Sequence, residues 1–269
     1  MQRPMQSVRS VVLILISMSI LWIQGCSKQP DLITDFEADK SVVKATLPDF
    51  SRYTNTKEKK AEFFAFMERL THEANREIMV ERNALKAIKE FGEYDKMTPE
   101  NAAFLARLAK KYRLDDITPT AKQVERLLVR VAPVAPSLAM AQAANESAWG
   151  TSRFAKKGNN LFGQWCFSKG CGIVPESRAE DASHEVAAFK TPYQSVRSYM
   201  LNINRHDAYR QLRRIRAEAM QKQGFASGTA LAGGLESYSE RGQEYIDEVR
   251  SMIRFNKLGR FDHPEPVGS

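Results

Sequence analysis

The chain has 269 residues, of which 43% are hydrophobic and 27% charged, a composition that excludes disorder and allows one sizeable domain or two small lobes. Its formal net charge of +8 suits an anionic partner such as nucleic acid, a membrane face or an acidic polymer of the cell wall. The sequence has no RGG-type repeats, Lys/Arg blocks or zinc-finger spacing, which argues against nucleic acid.

Arg3 and Arg9 make a short positive region before an uncharged run of apolar and small hydroxyl residues over 11–23. The run is shorter than the roughly 20 residues of a membrane span and has the length of a signal-peptide core. It ends in Ile23-Gln24-Gly25-Cys26. A small residue before cysteine at this place resembles the bacterial lipobox, which implies that residues 1–26 form a lipoprotein signal with its lipobox cysteine, that lipid is attached to the Cys26 sulfur, and that cleavage just before it makes Cys26 the new N-terminus. An ordinary signal peptide and an uncleaved anchor are the other readings, and all three export the chain. Ser27 resembles the residue that directs such lipoproteins to the outer membrane of a Gram-negative envelope. The expected location is therefore periplasmic, with a lipid anchor in the membrane.

Residues 27–53 are polar and mixed, with Pro30 and Pro48, and read as a tether. From Thr56 the period becomes helical, and Phe63, Met67, Leu70, Ala74 and Ile78 form a core-facing stripe. Thr98-Pro99 and Thr118-Pro119 each pair a capping hydroxyl with proline at a first turn, and each predicts a helix start. Pro133 and Pro136 then interrupt the chain before a further helix. These signals divide the chain into a helical part over 54–130 and a second part over 131–262. Within the latter, Gly158, Gly163, Gly170 and Gly172 mark a turn-rich stretch, with Ile173-Val174 and the run 186–189 as hairpin strands in a β lobe over about 163–190. Helical period returns through Val196, Tyr199, Met200 and Ile203, and a last helix carries Tyr245, Val249, Met252 and Ile253. The expected class is α+β, mainly α, with a helical lobe, a small β-hairpin lobe and a cleft between them.

With Cys26 taken by lipid, Cys166 and Cys171 remain as an even pair that can close a small disulfide loop in an oxidising compartment. Two thiols without a second pair or clustered histidines do not make a zinc site. The sequence carries no Gly-rich phosphate loop and no Ser-His-Asp order. No metal and no cofactor are expected, and no protein partner is named by any motif.

Residues 131–145 carry no charged side chain and include an alanine-rich core from Leu138 to Ala144, a pattern that predicts a buried helix. Glu146 stands at its end, followed by Ser147-Ala148-Trp149-Gly150. A carboxyl beside an apolar helix and a tryptophan loses solvation, which raises its pKa and suits it to general-acid work on a glycosidic oxygen. Lysozyme, in which a glutamate lies against a tryptophan, has the same physical arrangement. Two plainer readings stand beside this one: an exposed helix-end residue, or a partner of Arg153.

The segment 144–152 with Glu146-Ser147-Ala148-Trp149-Gly150-Thr151-Ser152, followed by Asn159-Asn160-Leu161-Phe162-Gly163 and the Cys166/Cys171 pair, resembles the bacterial glucosaminidase domains of glycoside hydrolase family 73, and within them the Bax-type branch. The likeness reaches upstream to Leu47-Pro48-Asp49-Phe50 and the charge run 57–60. It implies a lysozyme-like α lobe with a small β lobe, and hydrolysis of the β-1,4 bond between N-acetylglucosamine and N-acetylmuramic acid in peptidoglycan glycan strands. It implies Glu146 as the acid and Asn160, Phe162 and Gly163 as the turn that lines the cleft. Trp149 would seal the pocket or stack on a sugar. Tyr238, in Glu236-Ser237-Tyr238-Ser239-Glu240, falls near a family tyrosine that faces the acid, although the family's Y-A-T-D form is altered. Glycosidases commonly use a second carboxylate. Glu176, Glu180, Asp181 and Glu185 are candidates, with Glu180 first and Glu176 next, and each could equally be a solvated turn charge. Assistance by the substrate's 2-acetamido group would remove the need for one. Lytic transglycosylase action and a non-catalytic glycan-binding scaffold are the alternatives.

Overall fold

The computed structural model describes residues 35–114, 120–176 and 184–263; Cys26, Glu180, Asp181 and Thr118-Pro119 lie outside them. Among the described residues the helices are α1 (Lys40–Val43), α2 (Thr56–Phe91), α3 (Pro99–Lys111), α4 (Ala121–Arg130), α5 (Pro136–Glu146), α6 (Arg153–Gly158), α7 (Pro192–Arg205), α8 (Arg210–Gln223), α9 (Gly228–Ala232) and α10 (Gln243–Phe255). The strands are β1 (Trp165–Cys166), β2 (Gly172–Ile173) and β3 (Glu185–Ala187). The fold is α+β and mainly α.

Helix α2 starts where the Asn55 side chain accepts from the backbone N–H groups of Lys57 and Glu58, and it stops at Gly92, whose φ of 72° ends the helical run. The stripe read from the sequence is buried along it: Phe63, Met67, Leu70, Ala74 and Ile78. Thr98 caps α3 through the Asn101 N–H, with Pro99 in the first turn. The next helix begins at Ala121, where Thr120 supplies the cap to the Gln123 N–H. A hydroxyl closer to the apolar period thus fills the capping role assigned to Thr118.

The tether expected over 27–53 does not extend to residue 53. From Asp39 the chain belongs to the body: the Asp39 N–H donates to Glu73 Oε1 at 2.7 Å, and Val42 and Phe50 are buried. Phe50 meets Phe63 edge-on at 5.4 Å. Isolated apolar residues in a polar stretch have no period to announce them, and they are buried by a surface far away in sequence. The boundary expected at 130/131 also disappears in three dimensions. Residues from both sides join one apolar core, and α2 packs on α4, α5 and α7.

The β lobe holds three short antiparallel strands in the order β1-β3-β2 rather than one hairpin. Trp165 pairs with Val186 and Cys166 with Glu185; Gly172 pairs with Ala187 and Ile173 with Val186. Val174 and Phe189, expected in strands, lie outside them. Cys166 and Cys171 form a disulfide.

The loop from α4 to α5 sets the position of α5. Every carbonyl from 129 to 134 accepts a side-chain hydrogen bond. Arg216 serves Val129, Arg130, Ala132 and Pro133; Arg82 serves Val131, and Asn75 serves Val134 while accepting from its N–H. Arg216 is 1% exposed, and burial pushes its pKa down to about 9, so it is still cationic at neutral pH. Carbonyl dipoles and Asn204 Oδ1, at 2.6 Å, face it in place of a counter-ion. Arg216→Lys, with one ammonium in place of the planar fork, is expected to lose about 2–4 kcal/mol of stability. A urea midpoint equal to that of the unmodified chain would show that the loop does not depend on this fork.

Candidate active site

Helix α5 is buried from Pro136 to Ala144, Asn145 is half-buried, and Glu146, its last residue, is exposed. The helix has no side-chain cap at its own start. Asp262 provides one from the far end of the chain: Oδ1 accepts the Ser137 N–H at 2.9 Å, and Oδ2 accepts the Ser137 hydroxyl at 2.7 Å and the Gly228 N–H at 2.9 Å.

Glu146 lies at the end of a line of hydrogen bonds. The Tyr199 hydroxyl donates to Gln142 Oε1 at 2.5 Å. Gln142 Nε2 donates to the Tyr245 oxygen at 3.0 Å, which leaves the Tyr245 hydrogen to donate to Glu146 Oε1 at 2.8 Å. Gln142 and Glu146 are one helical turn apart, so both reach α10 from the same side of α5. Tyr238 stacks on Tyr245 with centroids 5.2 Å apart, and its hydroxyl donates to the Phe162 carbonyl at 3.4 Å.

Loss of solvation raises the Glu146 pKa above the usual carboxyl range; the Tyr245 hydrogen bond opposes it, Glu248 adds repulsion and Arg241 lowers it. Burial and the Glu146 charge keep the Tyr245 hydroxyl protonated. Arg153, considered above as a partner for Glu146, pairs with Glu176 at 2.9 Å instead.

The turn after Glu146 explains the residue types around it. The Ser147 hydroxyl donates to the Ala143 carbonyl at 2.6 Å and accepts the Gly150 N–H at 2.8 Å. Ala148, Trp149 and Gly150 all have positive φ, at 49°, 60° and 75°. A Cβ at Gly150 would stand 2.6 Å from the Phe50 ring. Trp149 packs edge-on against Phe63 at 5.6 Å and Phe64 at 5.3 Å, both on α2. The aromatic ring bonded to Glu146 is instead that of Tyr245 on α10, with Tyr238 stacked on it.

The Asn160–Gly163 turn forms the other side. Asn160 Oδ1 accepts the N–H groups of Phe162 and Gln164, and Nδ2 donates to the carbonyls of Gln164 and Ala187. Phe162 stacks on Tyr199 at 4.0 Å. Asn160 and Phe162 are 1% and 3% exposed, so their side chains shape the turn and offer a ligand little surface. Gly163, at φ 61°, approaches the acid: a Cβ there would lie 3.8 Å from Glu146 Oε2.

Among the described candidates for a second carboxylate, Glu176 is an exposed partner of Arg153. Glu185 is buried, with Oε1 accepting the Gly170 N–H and Oε2 the Gly172 N–H. Its oxygens hold the disulfide loop. Glu185 also lies close to Cys166 and Cys171, but their sulfurs are joined to each other. Recesses of about 300 Å³ between α2, α3 and α7 and about 350 Å³ beside the start of α8 are not lined by Glu146.

Tyr245 and Gln142 were missed as site residues in the sequence. Tyr245 looks like one more apolar position of the last helix. Gln142 carried a usable signal, being a polar side chain inside an apolar helix one turn before the acid.

The family model for glucosaminidase, described as mannosyl-glycoprotein endo-beta-N-acetylglucosaminidase, matches residues 121–258. Protein bax of Escherichia coli (strain K12) is 32% identical over 219 residues, which cover 81% of this chain and 77% of that protein. No solved structure matches the chain significantly.

Two outcomes follow from the geometry. Tyr245→Phe removes the donor that favours the charged carboxylate, so the ¹³C carboxyl resonance of Glu146 is expected to titrate at higher pH than in the unmodified chain. An unchanged or lower midpoint excludes that donor role. Because the folded pKa of Glu146 is raised, its contribution to stability is fully present below the unfolded pKa and is lost as pH rises through the folded value. The stability of Glu146→Gln, measured by urea unfolding at several pH values, should therefore gain on that of the unmodified chain as pH rises across this window; a gap that stays constant removes the linkage.

Proposed function

The chain belongs to the glucosaminidase family, and from that premise we propose that it is an endo-β-N-acetylglucosaminidase of bacterial peptidoglycan. Glu146 is the general acid. It protonates the oxygen of the β-1,4 bond between N-acetylglucosamine and N-acetylmuramic acid. That oxygen leaves on C4 of the muramic acid residue, and water supplies the new hydroxyl at C1 of N-acetylglucosamine. The observation that carries this reading is a glutamate at the solvent-facing end of a buried helix, with its pKa raised by lost solvation and one oxygen held by Tyr245.

Tyr245 occupies Oε1, so the proton to be transferred sits on Oε2, beside Gly163. Tyr238 braces both Tyr245 and the Phe162 carbonyl and acts as a positioning residue. Glu180 is assigned as the second carboxylate, in a segment outside the described residues. The chain is exported and held by lipid on Cys26, with the outer membrane as its place, and its +8 charge favours the anionic wall.

The test is mass spectrometry of muropeptides released from purified sacculi by the full chain in detergent, with Glu146→Gln alongside. Fragments with reducing N-acetylglucosamine ends, lost in Glu146→Gln, are expected. 1,6-Anhydro-muramic ends would move the chain to the lytic transglycosylases while keeping Glu146. Wall binding without release by either protein, in an assay where another hydrolase works, would overturn the enzymatic reading in favour of a glycan-binding scaffold.

A further inference from the structure

The β lobe exposes large apolar side chains that neither the core nor the acid uses. Trp165 is 52% exposed, Phe167 76% and Val174 44%. Trp165 and Phe167 flank Cys166, whose disulfide to Cys171 ties the segment down. Glu185 reinforces it through the N–H groups of Gly170 and Gly172. These side chains therefore stand on a braced support and not on a free loop.

Trp165 has a defined orientation. It is in register with Val186, which is in register with Ile173, so the three share a sheet face. Val186 is buried there, and Ile173 closes on α6, where a Cβ at Gly158 would lie 3.1 Å from Ile173 Cδ1. The face bearing Trp165 thus turns toward the helical lobe. His184 meets the indole in a T-shaped contact at 4.2 Å, which covers at most one face of the ring. Trp165 is also two residues beyond Gly163, so its Cα lies within roughly 7 Å of the glycine that abuts Glu146 Oε2.

We propose that Trp165, with Phe167 beside it, is a stacking platform for the pyranose rings of an N-acetylated β-1,4 glycan running across Glu146. The inference rests on the reading of Glu146 as the acid of a glycan hydrolase. Axial C–H bonds on one face of a β-linked pyranose carry partial positive charge, and an indole face is both apolar and electron-rich. Glu146 lies open at the end of α5. A polymer crossing such a surface needs contacts on either side of the acid, and the indole provides a flat one on the Gly163 side, where the transferable proton sits. The nearness of Trp165 to Gly163, which abuts Glu146 Oε2, favours glycan over lipid as the occupant.

The experiment compares the full chain with Trp165→Ala, Trp165→Phe and Phe167→Ala, with circular dichroism to check folding. Binding of the β-1,4-linked tetrasaccharide of N-acetylglucosamine is measured by calorimetry in the Glu146→Gln background, and KM and kcat are measured on sacculi with Glu146 intact. Trp165→Ala should weaken tetrasaccharide binding roughly three- to tenfold. It should raise KM more than it lowers kcat, and Trp165→Phe should recover part of the loss. Binding and KM unchanged in Trp165→Ala overturn the platform, and continued release of muropeptides shows that the hydrolase reading survives it. Loss of binding to vesicles of phosphatidylethanolamine and phosphatidylglycerol, with tetrasaccharide binding intact, overturns it in favour of a lipid contact. If the unmodified chain neither binds the tetrasaccharide nor cuts sacculi, both readings go together.

Discussion

A helix buried on every side can stand at the centre of a protein only if other parts of the chain meet the polar groups at its start. Helix α5 imposes that constraint here. Its alanines and leucine allow close packing by α2, α9 and α10. Its own first turn supplies no capping side chain. Asp262 accepts three donors there, and Arg216, Arg82 and Asn75 take up the carbonyls of the loop that leads in. A buried guanidinium without a carboxylate partner is expensive unless its donors are met, and the run of carbonyls meets them. The consequence is functional as well as structural. Glu146, at the end of this helix, is placed by the most deeply packed element of the fold.

The residue types after Glu146 follow from the need to leave the helix abruptly. The chain turns through three successive residues of positive φ. This is a conformation that costs Ala148 and Trp149 energy and Gly150 little. Ser147 compensates by bonding both backward to Ala143 and forward to Gly150, and Trp149 by packing on two phenylalanines of α2. Gly150 is required twice over, by its φ and by the Phe50 ring against it. The tryptophan near the acid thus fixes the turn that ends the helix, and the tyrosines fix the acid.

Local signals made much of this legible. The α2 stripe, the Thr98-Pro99 helix start, the cysteine pair and the apolar helix ending in Glu146 all depend on residues close together in the chain. What was not legible depends on distant partners. Arg216 is one of the chain's 40 Lys and Arg residues and looks solvated until the loop more than 80 positions away folds beneath it. Tyr245 meets Glu146 across 99 positions, and its place in an apolar stripe disguises its hydroxyl. Phe50 gave no periodic signal at all. Strand pairing was underestimated for a related reason: strands of two and three residues have too little alternation to read.

Opposing influences on Glu146 resolve into a division of labour between its oxygens. Desolvation and Glu248 favour the protonated form, whereas Tyr245 and Arg241 favour the charged one. Under the proposed role of Glu146 as general acid, a donor on it looks counterproductive, because it stabilises the state in which the proton has gone. That stabilisation is useful once transfer has begun, since the carboxylate is then the product of the step. Gln142 makes the donation directional: its amide fills the Tyr245 oxygen, so the tyrosine hydrogen has Glu146 Oε1 as its acceptor. In the proposed mechanism Oε2 is left to carry the proton, and the residue beside it is Gly163, whose missing side chain leaves room for a glycosidic oxygen. The acid is therefore oriented by the same bond that limits how far its pKa rises.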